Sequence, residues 1–387
     1  MHNANLDNAK KHNAKEIGKM SPFKYGCTVS DEFFCPRPEL EKRLFEHIRS
    51  GQHVAVVGPR RTGKSSLVLE TVRRAKGFAL YHVDFLDVRS RAELCKRMVT
   101  ALSRLESSDS WLSRMMRMLV RLRPTLSIDP RDGSPTVSID TREAAALGSL
   151  DCILDALVAQ TARRKVCVVF DEFQDIMDTE DGENVLAILR SRIQLDSNTP
   201  YIFLGSVRHR MLDIFLDSHS PFYHGAALFE VGDIAANDFY SFLRRRFATG
   251  RRAFPREAFD AIAMSVHNTP GYIQEVCDAL WQAGNAGDAI SAADIGKAID
   301  VIFAREGEHF SFAIRQLTAI QVQVLTAISV RGGKEIYSGD FLDAAGMRST
   351  ASVKRALSRL IEEGLVYFAG GEYRIDNPFF AEWVKRR

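Results

Sequence analysis

Apolar residues in the first two thirds of the chain gather into short, nearly unbroken blocks, whereas in the last third they fall at helical spacing. The blocks are 53–57, 79–85 (Ala-Leu-Tyr-His-Val-Asp-Phe), 166–170 (Val-Cys-Val-Val-Phe), 201–205 (Tyr-Ile-Phe-Leu-Gly) and 227–231. Blocks this short, separated by helical patterns, predict parallel strands covered on both faces. They place an α/β domain over residues 23–235, with an insertion at 103–149 between the second and third strands. The insertion holds a basic amphipathic pattern around Met115–Leu122 and a Pro/Gly/Asp-rich stretch, Pro124–Ile139, suited to a small hairpin. Residues 1–22, rich in Asn, Lys and Ala with little apolar periodicity, are expected to form a loose tail.

From 236 to 308 the strand-like blocks stop and helical patterns follow one another, as in a helical lid. Thr269-Pro270 reads as an N-cap with proline at the first helical position, and Ser291-Ala-Ala-Asp294 as a capping box. Residues 309–387 change character again. Thr318-Ala-Ile-Gln321 opens one helix and Ser338 a second, which stops at Gly346. A third starts near Ser349-Thr350 and stops at Gly364. Its Val353, Ala356, Leu357, Leu360 and Ile361 form one stripe at i, i+3, i+4, i+7 and i+8. Leu365-Val-Tyr-Phe368, a Gly370-Gly371 turn and Tyr373-Arg-Ile375 then predict a two-stranded hairpin. Three helices and a hairpin make a winged helix-turn-helix.

The chemistry is concentrated after the first block. Gly58-Pro59-Arg60-Arg61-Thr62-Gly63-Lys64-Ser65, followed by Ser66, has the G-x-x-x-x-G-K-S spacing of a phosphate-binding loop between a strand and a helix. The glycines let the backbone curl so that its N–H groups face phosphate oxygens, and the helix N-terminus adds its own donors. Lys64 is expected to reach the outer phosphates and the Ser65 hydroxyl to sit on Mg²⁺. The block at 166–170 ends in Asp171-Glu172. Asp171 is the expected Mg²⁺ partner and Glu172 the base that polarises the attacking water, since one carboxylate is taken by the metal and the other must accept a proton. Ser206, ending the next block, would either sense the γ-phosphate and the attacking water or simply cap a helix.

These motifs carry a resemblance. Phe33-Phe34-Cys35-Pro36-Arg37-Pro38-Glu39-Leu40 resembles the F-x-G-R-x-x-E-L box of AAA-like ATPases, with Pro36 where the box has glycine. Together with the phosphate loop, Phe170-Asp-Glu-Phe-Gln174, Gly205-Ser206 and Ser220-Pro-Phe-Tyr223, it resembles the archaeal-type ATPase family, a prokaryotic branch close to the STAND and origin-recognition ATPases. Thr269-Pro-Gly-Tyr-Ile-Gln274 and Tyr373-Arg-Ile-Asp-Asn-Pro-Phe-Phe380 extend the similarity over nearly the whole chain from about residue 23. The resemblance implies an ATPase with five parallel strands in the order 5-1-4-3-2, a helical lid and a winged helix. After Ser-Pro-Phe-Tyr the family usually carries Gly-Arg, but here His224-Gly225 stand instead, so an arginine acting from that position is absent.

Charge and composition narrow the partners. A formal net charge of +3 over 387 residues does not itself demand a polyanion, so any nucleic-acid contact must come from local clusters. Lys354, Arg355 and Arg359 lie off the apolar stripe of the third winged-helix helix and are the candidate contacts to double-stranded DNA. Glu362, Glu363 and Glu372 temper that module's charge. Arg244-Arg245-Arg246 with Arg251-Arg252, and Arg114, Arg117, Arg121 and Arg123, read by default as solvated helix faces. The sharper reading is an arginine reaching a neighbouring subunit's nucleotide in a homo-oligomer. Six scattered cysteines without a C-x-x-C pair, no signal-like start and no bilayer-long apolar run point to a reducing cytoplasm and away from membranes. Two functions follow: an ATP-hydrolysing switch or motor on DNA or a DNA-bound partner, or an ATP-gated signalling or defence scaffold that binds protein, with slow hydrolysis as a timer. A nucleotide-binding module without hydrolysis is disfavoured by the intact Asp171-Glu172.

Overall fold

The apolar blocks become strands of one parallel sheet because the side chains of the three central strands are buried on both faces. In chain order the strands are β1 (Val54–Val57), β2 (Ala79–Asp84), β3 (Thr125–Ile128), β4 (Pro135–Ser138), β5 (Val166–Asp171), β6 (Tyr201–Gly205) and β7 (Ala227–Glu230). All but β3 and β4 join the sheet, in the order β2-β5-β6-β1-β7, with every pairing parallel. Counted without the insertion this is 2-3-4-1-5, the expected order read from its other edge. On one face Val57, Tyr81, Val83, Val168, Phe170 and Phe203 enter one core, and on the other Val54, Val56, Cys167, Val169, Ile202 and Leu204 enter a second. Each such burial stabilises by about 1.5–3 kcal/mol. The two edge strands depart from this: in β2 Tyr81 and Val83 are buried while Leu80 is exposed, and in β7 only Phe229 is buried while Leu228 is exposed.

The computed structural model describes residues 21–105, 125–128, 135–138, 148–196, 198–285 and 287–387. They divide into two units, one of residues 28–234 and one of residues 235–387 together with 21–27. In the first unit the helices are α1 (Pro38–Ser50), α2 (Lys64–Arg74), α3 (Arg91–Leu105), α4 (Ser149–Thr161), α5 (Gly182–Ile193) and α6 (Arg208–Leu216). The insertion contains the expected hairpin, β3 antiparallel to β4. Its basic helical pattern at 115–122, with Arg114, Arg117, Arg121 and Arg123, lies outside the described residues, as does most of the tail.

The second unit contains α7 (Ala236–Ala248), α8 (Arg256–Ser265), α9 (Pro270–Ala283), α10 (Ala292–Arg315), α11 (Ala319–Arg331), α12 (Gly339–Ala344), α13 (Thr350–Glu362), a hairpin of β8 (Val366–Ala369) and β9 (Glu372–Ile375), and α14 (Pro378–Lys385). Ser291 and Thr318 both form full capping boxes, and the Ser338 side chain accepts the Phe341 N–H. Pro270 takes the first helical position, but the Thr269 side chain makes no cap bond. Gly346 and Gly364, both at positive φ, end the winged-helix helices as their sequence positions suggest. Within the stripe of α13, Val353, Ala356, Leu357 and Leu360 are buried, while Ile361 is only half-buried.

The closing helix α14 was not among the expected elements. Asn377 caps it by accepting the Phe379 and Phe380 N–H groups. Phe380 meets Phe310 of α10 at 5.4 Å between ring centroids, and Phe379 meets Tyr272 of α9 at 5.4 Å. The Thr269–Gln274 and Tyr373–Phe380 motifs are therefore two sides of one contact, seating the winged helix on the lid helices. Helix α10 runs unbroken across residue 308. Phe23 packs on Phe247 and Trp281 in this unit. Arg252 departs from the solvated reading of its cluster: it is buried, donates to the Leu280 carbonyl at 2.5 Å and lies over Phe247.

Candidate nucleotide site

The site is built at the C-terminal end of the sheet, where β1, β5 and β6 all release their chains. After Val57 the backbone turns at Gly58, where a Cβ would collide with the Val231 carbonyl, and at Gly63, whose φ of 84° suits glycine. Between them the Pro59 carbonyl accepts the Thr62 hydroxyl at 2.9 Å and the Lys64 ammonium at 2.8 Å. The lysine therefore already lies across the curled loop, 6% exposed, with further donors on the same nitrogen. Pro59, Arg60 and Arg61 are exposed, Arg61 in the left-handed region at φ 60°. Ser65 is half-buried, and Ser66 is turned to structural use, its Oγ accepting the Val29 N–H at 3.1 Å.

Strand β5 brings Asp171 and Glu172 to this loop. Burial alone would raise the Asp171 carboxyl, but the His82 ring and the Ser65 hydroxyl hold it below its ordinary value, helped by the Glu172 N–H at 3.0 Å. Ser65 and Asp171, far apart in sequence, thus meet at one point. His82 reaches it from β2, its Nε2 3.8 Å from the Asp171 carboxylate.

Glu172 follows in a left-handed conformation, φ 47° and ψ 46°, which for a residue with a side chain costs about 1 kcal/mol or more. That bend sends its carboxylate toward β6. Its Oε2 accepts the Ser206 hydroxyl at 2.8 Å, the Ser206 N–H at 3.2 Å and the Gln174 amide at 2.8 Å. Ser206 is thus no helix cap; Val207 holds that position before α6. The same Gln174 amide also donates to Asp175 at 2.9 Å, while its Oε1 is buried without a hydrogen-bond partner. Burial raises the Asp175 carboxyl, and the neighbouring Glu172 charge adds to that.

Below the acids lies an aromatic floor. Phe173, Phe203, Phe215 and Phe222 are fully buried, with ring centroids 4.6 Å apart for Phe173 and Phe203 and 5.5 Å for Phe173 and Phe222. Phe222 is the buried one of the two aromatics in Ser220-Pro-Phe-Tyr223, so packing accounts for its place in that motif, while Tyr223 is exposed. After it His224 stands at φ 51° with its N–H on the Phe215 carbonyl.

The structure brings together Gly58–Ser65, Asp171, Glu172 and Ser206. Lys354, Arg355 and Arg359 lie in the other unit, exposed on α13, with Arg359 bonded to Glu362 at 2.6 Å. Three residues of the first unit escaped the sequence reading as site members: Arg37, His82 and Gln174. Arg37 and Gln174 stood inside quoted motifs, but nothing in the spacing told their partners. His82 carried no signal beyond being a polar residue in an edge strand.

Residues 308–386 match a family described as a probable winged helix domain. No curated protein matches the sequence. Among solved structures the fold is similar to a Walker-type ATPase of Pyrococcus abyssi, with 19% identity and a TM-score of 0.65 over 93% of this chain and 98% of that one. It is also similar to the Aeropyrum pernix Orc1 protein in complex with DNA (14% identity, TM-score 0.50, 92% and 93% of the two chains). The Aeropyrum pernix Orc2 protein in ADPNP–ADP complexes matches at 16% identity and a TM-score of 0.50, over 90% of each chain. At these identities the likeness speaks for the fold: a P-loop ATPase sheet with helical elements and a C-terminal winged helix, as the sequence motifs implied.

Proposed function

We propose that this protein binds ATP with Mg²⁺ in the loop Gly58–Ser65 and hydrolyses it, and that it acts on DNA or on a DNA-bound partner. The observation that carries the reading is the meeting of Ser65 with Asp171 beside a loop already curled around Lys64. A hydroxyl and a carboxylate are hard oxygen donors, the set that suits Mg²⁺ when phosphate oxygens and water complete its shell. Among the described residues no group of three or more His, Cys, Asp or Glu could hold a metal alone, so the ion would arrive with the phosphates. Bound Mg²⁺ would neutralise charge on the phosphates; the chain itself would position them. Lys64 would turn its ammonium from the Pro59 carbonyl to the outer phosphates. Glu172, oriented by Ser206 and Gln174, would take the proton of the attacking water.

Action on DNA is supported by the winged helix, by the exposed Lys354 and Arg355 on α13, and by the likeness to a fold seen in complex with DNA. The scaffold reading is favoured by a different observation, the seating of the winged helix on its own lid helices and the Arg359–Glu362 pair. Measuring ATP turnover with and without duplex DNA across a salt series separates them. Stimulation that falls steeply with salt supports the DNA reading. Turnover indifferent to DNA, with ATP-dependent assembly, supports the scaffold. Absence of Mg²⁺-dependent ATP binding overturns both.

A further inference from the structure

Arg37 stands at the N-cap of α1 and is 7% exposed. A guanidinium keeps its charge, and burying it is costly unless an anion or a full set of acceptors receives it. Here the acceptors are neutral. Nη2 donates to the Thr62 carbonyl and Nη1 to the Gly232 carbonyl at 3.0 Å. Among the described residues no carboxylate pairs with it at contact range; burial lowers its pKa, and Cys35 and then Asp233 oppose that only through space.

The two carbonyls belong to different segments. Thr62 is in the phosphate loop, and Gly232 follows β7, two residues before the first unit ends at Ile234. In a trans peptide the C=O and N–H point opposite ways. Holding the Thr62 carbonyl therefore fixes the Gly63 N–H on the opposite side of that peptide. The loop's opening glycine is pinned to the same outgoing segment: Gly58 packs on the Val231 carbonyl, and the Val231 N–H donates to Val57 at 2.8 Å. Both ends of the phosphate loop are thus fixed to Val231 and Gly232, and from there the chain leaves for the second unit.

We infer that Arg37 is a positioning residue whose buried charge is matched by the phosphates of a bound nucleotide, and that it passes the occupancy of the phosphate loop to Gly232 and so to the start of the second unit. The inference rests on the nucleotide reading above and extends it to how binding is communicated.

The test uses the full chain with ADP, a non-hydrolysable ATP analogue with Mg²⁺, and inorganic pyrophosphate. Binding to the unaltered protein comes first; without it the nucleotide reading fails and the arginine is not at issue. Given binding, Arg37→Gln should weaken ADP and pyrophosphate by the same factor, about tenfold or more. Loss confined to ADP would place Arg37 on the base and overturn the proposal. Amide hydrogen exchange supplies the second readout. In the unaltered protein the nucleotide should protect both 54–66 and 228–236. In Arg37→Gln at saturating nucleotide, protection should remain in 54–66 and disappear from 228–236. Arg37→Lys, which keeps the charge but replaces the rigid guanidinium fork with one ammonium nitrogen on a flexible stem, should fold, bind more tightly than Arg37→Gln, and still lose the response at 228–236. Full protection of 228–236 in either variant would sink the coupling.

Discussion

The phosphate-loop end of the first unit and the exposed face of α13 in the second treat charge in opposite ways. Around the loop Arg60 and Arg61 are exposed, while the site's Lys64, Asp171 and Glu172 are partnered within the chain: Lys64 on Pro59, Asp171 with Ser65 and His82, Glu172 with Ser206 and Gln174. On α13, Lys354 and Arg355 stand in solvent, and Arg359 makes only a surface pair with Glu362. The first arrangement is preorganised, so each removal should be costly and specific. The second is adaptable, its surface pair contributing about 0–1 kcal/mol, and its worth depends on a polyanion arriving. One site has the geometry that the proposed hydrolysis requires; the other offers only a charge pattern that several partners could use.

The sharpest break of this contrast is at Glu172. Replacing it with Gln keeps the shape but removes the proton acceptor, so turnover should fall by about a hundredfold or more while ATP and Mg²⁺ remain bound. Steady-state turnover beside an equilibrium titration reads both. Wild-type turnover in that variant would mean the water is activated elsewhere and that the strained Glu172 backbone serves another purpose. Lys64→Ala should act on binding instead, weakening ATP by roughly a hundredfold through loss of a charge-assisted donor. Unchanged affinity would remove the phosphate loop from the argument. Ser206→Ala takes one charge-assisted hydrogen bond from the Glu172 carboxylate and leaves the Ser206 N–H in place. Turnover should drop by about tenfold with affinity intact, and Ser206→Thr should restore it. A loss of affinity instead would show that Ser206 touches nucleotide directly.

How much of this could be read from the sequence divides along the same line. The strands were legible because a sheet covered on both faces demands unbroken apolar runs, and the loop because glycine spacing and Lys64 follow from how a backbone surrounds phosphate. Capping boxes at Ser291 and Thr318 were legible because they are local. What escaped was long-range: Arg37 bonded to Gly232, His82 beside Asp171, and Phe379 and Phe380 seated on the lid helices. No spacing rule encodes a partner brought close by the fold. Arg252 shows the converse error, a residue in a basic run that looks solvated yet is buried over Phe247. A run of charge fixes neither which side chain faces water nor what it meets.

The smallest expected effect falls on the winged helix, where the sequence and the structure leave the most to a partner. Replacing Lys354, Arg355 and Arg359 with alanine leaves Val353, Ala356, Leu357 and Leu360 in the core, so α13 should fold as before. If α13 lies on duplex DNA, each lost phosphate contact should lower the slope of log affinity against log salt by about one unit. The three residues should not contribute equally. Arg359 is engaged with Glu362 at 2.6 Å and must leave that pair to reach a phosphate, whereas Lys354 and Arg355 need no such exchange. Single substitutions should therefore rank Lys354 and Arg355 above Arg359. Removing the competitor with Glu362→Gln should bring Arg359 up to their level and raise affinity slightly at low salt. Affinity should fall alike for all sequences unless one of the three reads a base edge. A triple variant with unchanged affinity and salt slope would assign this face to a protein partner and move the scaffold reading ahead.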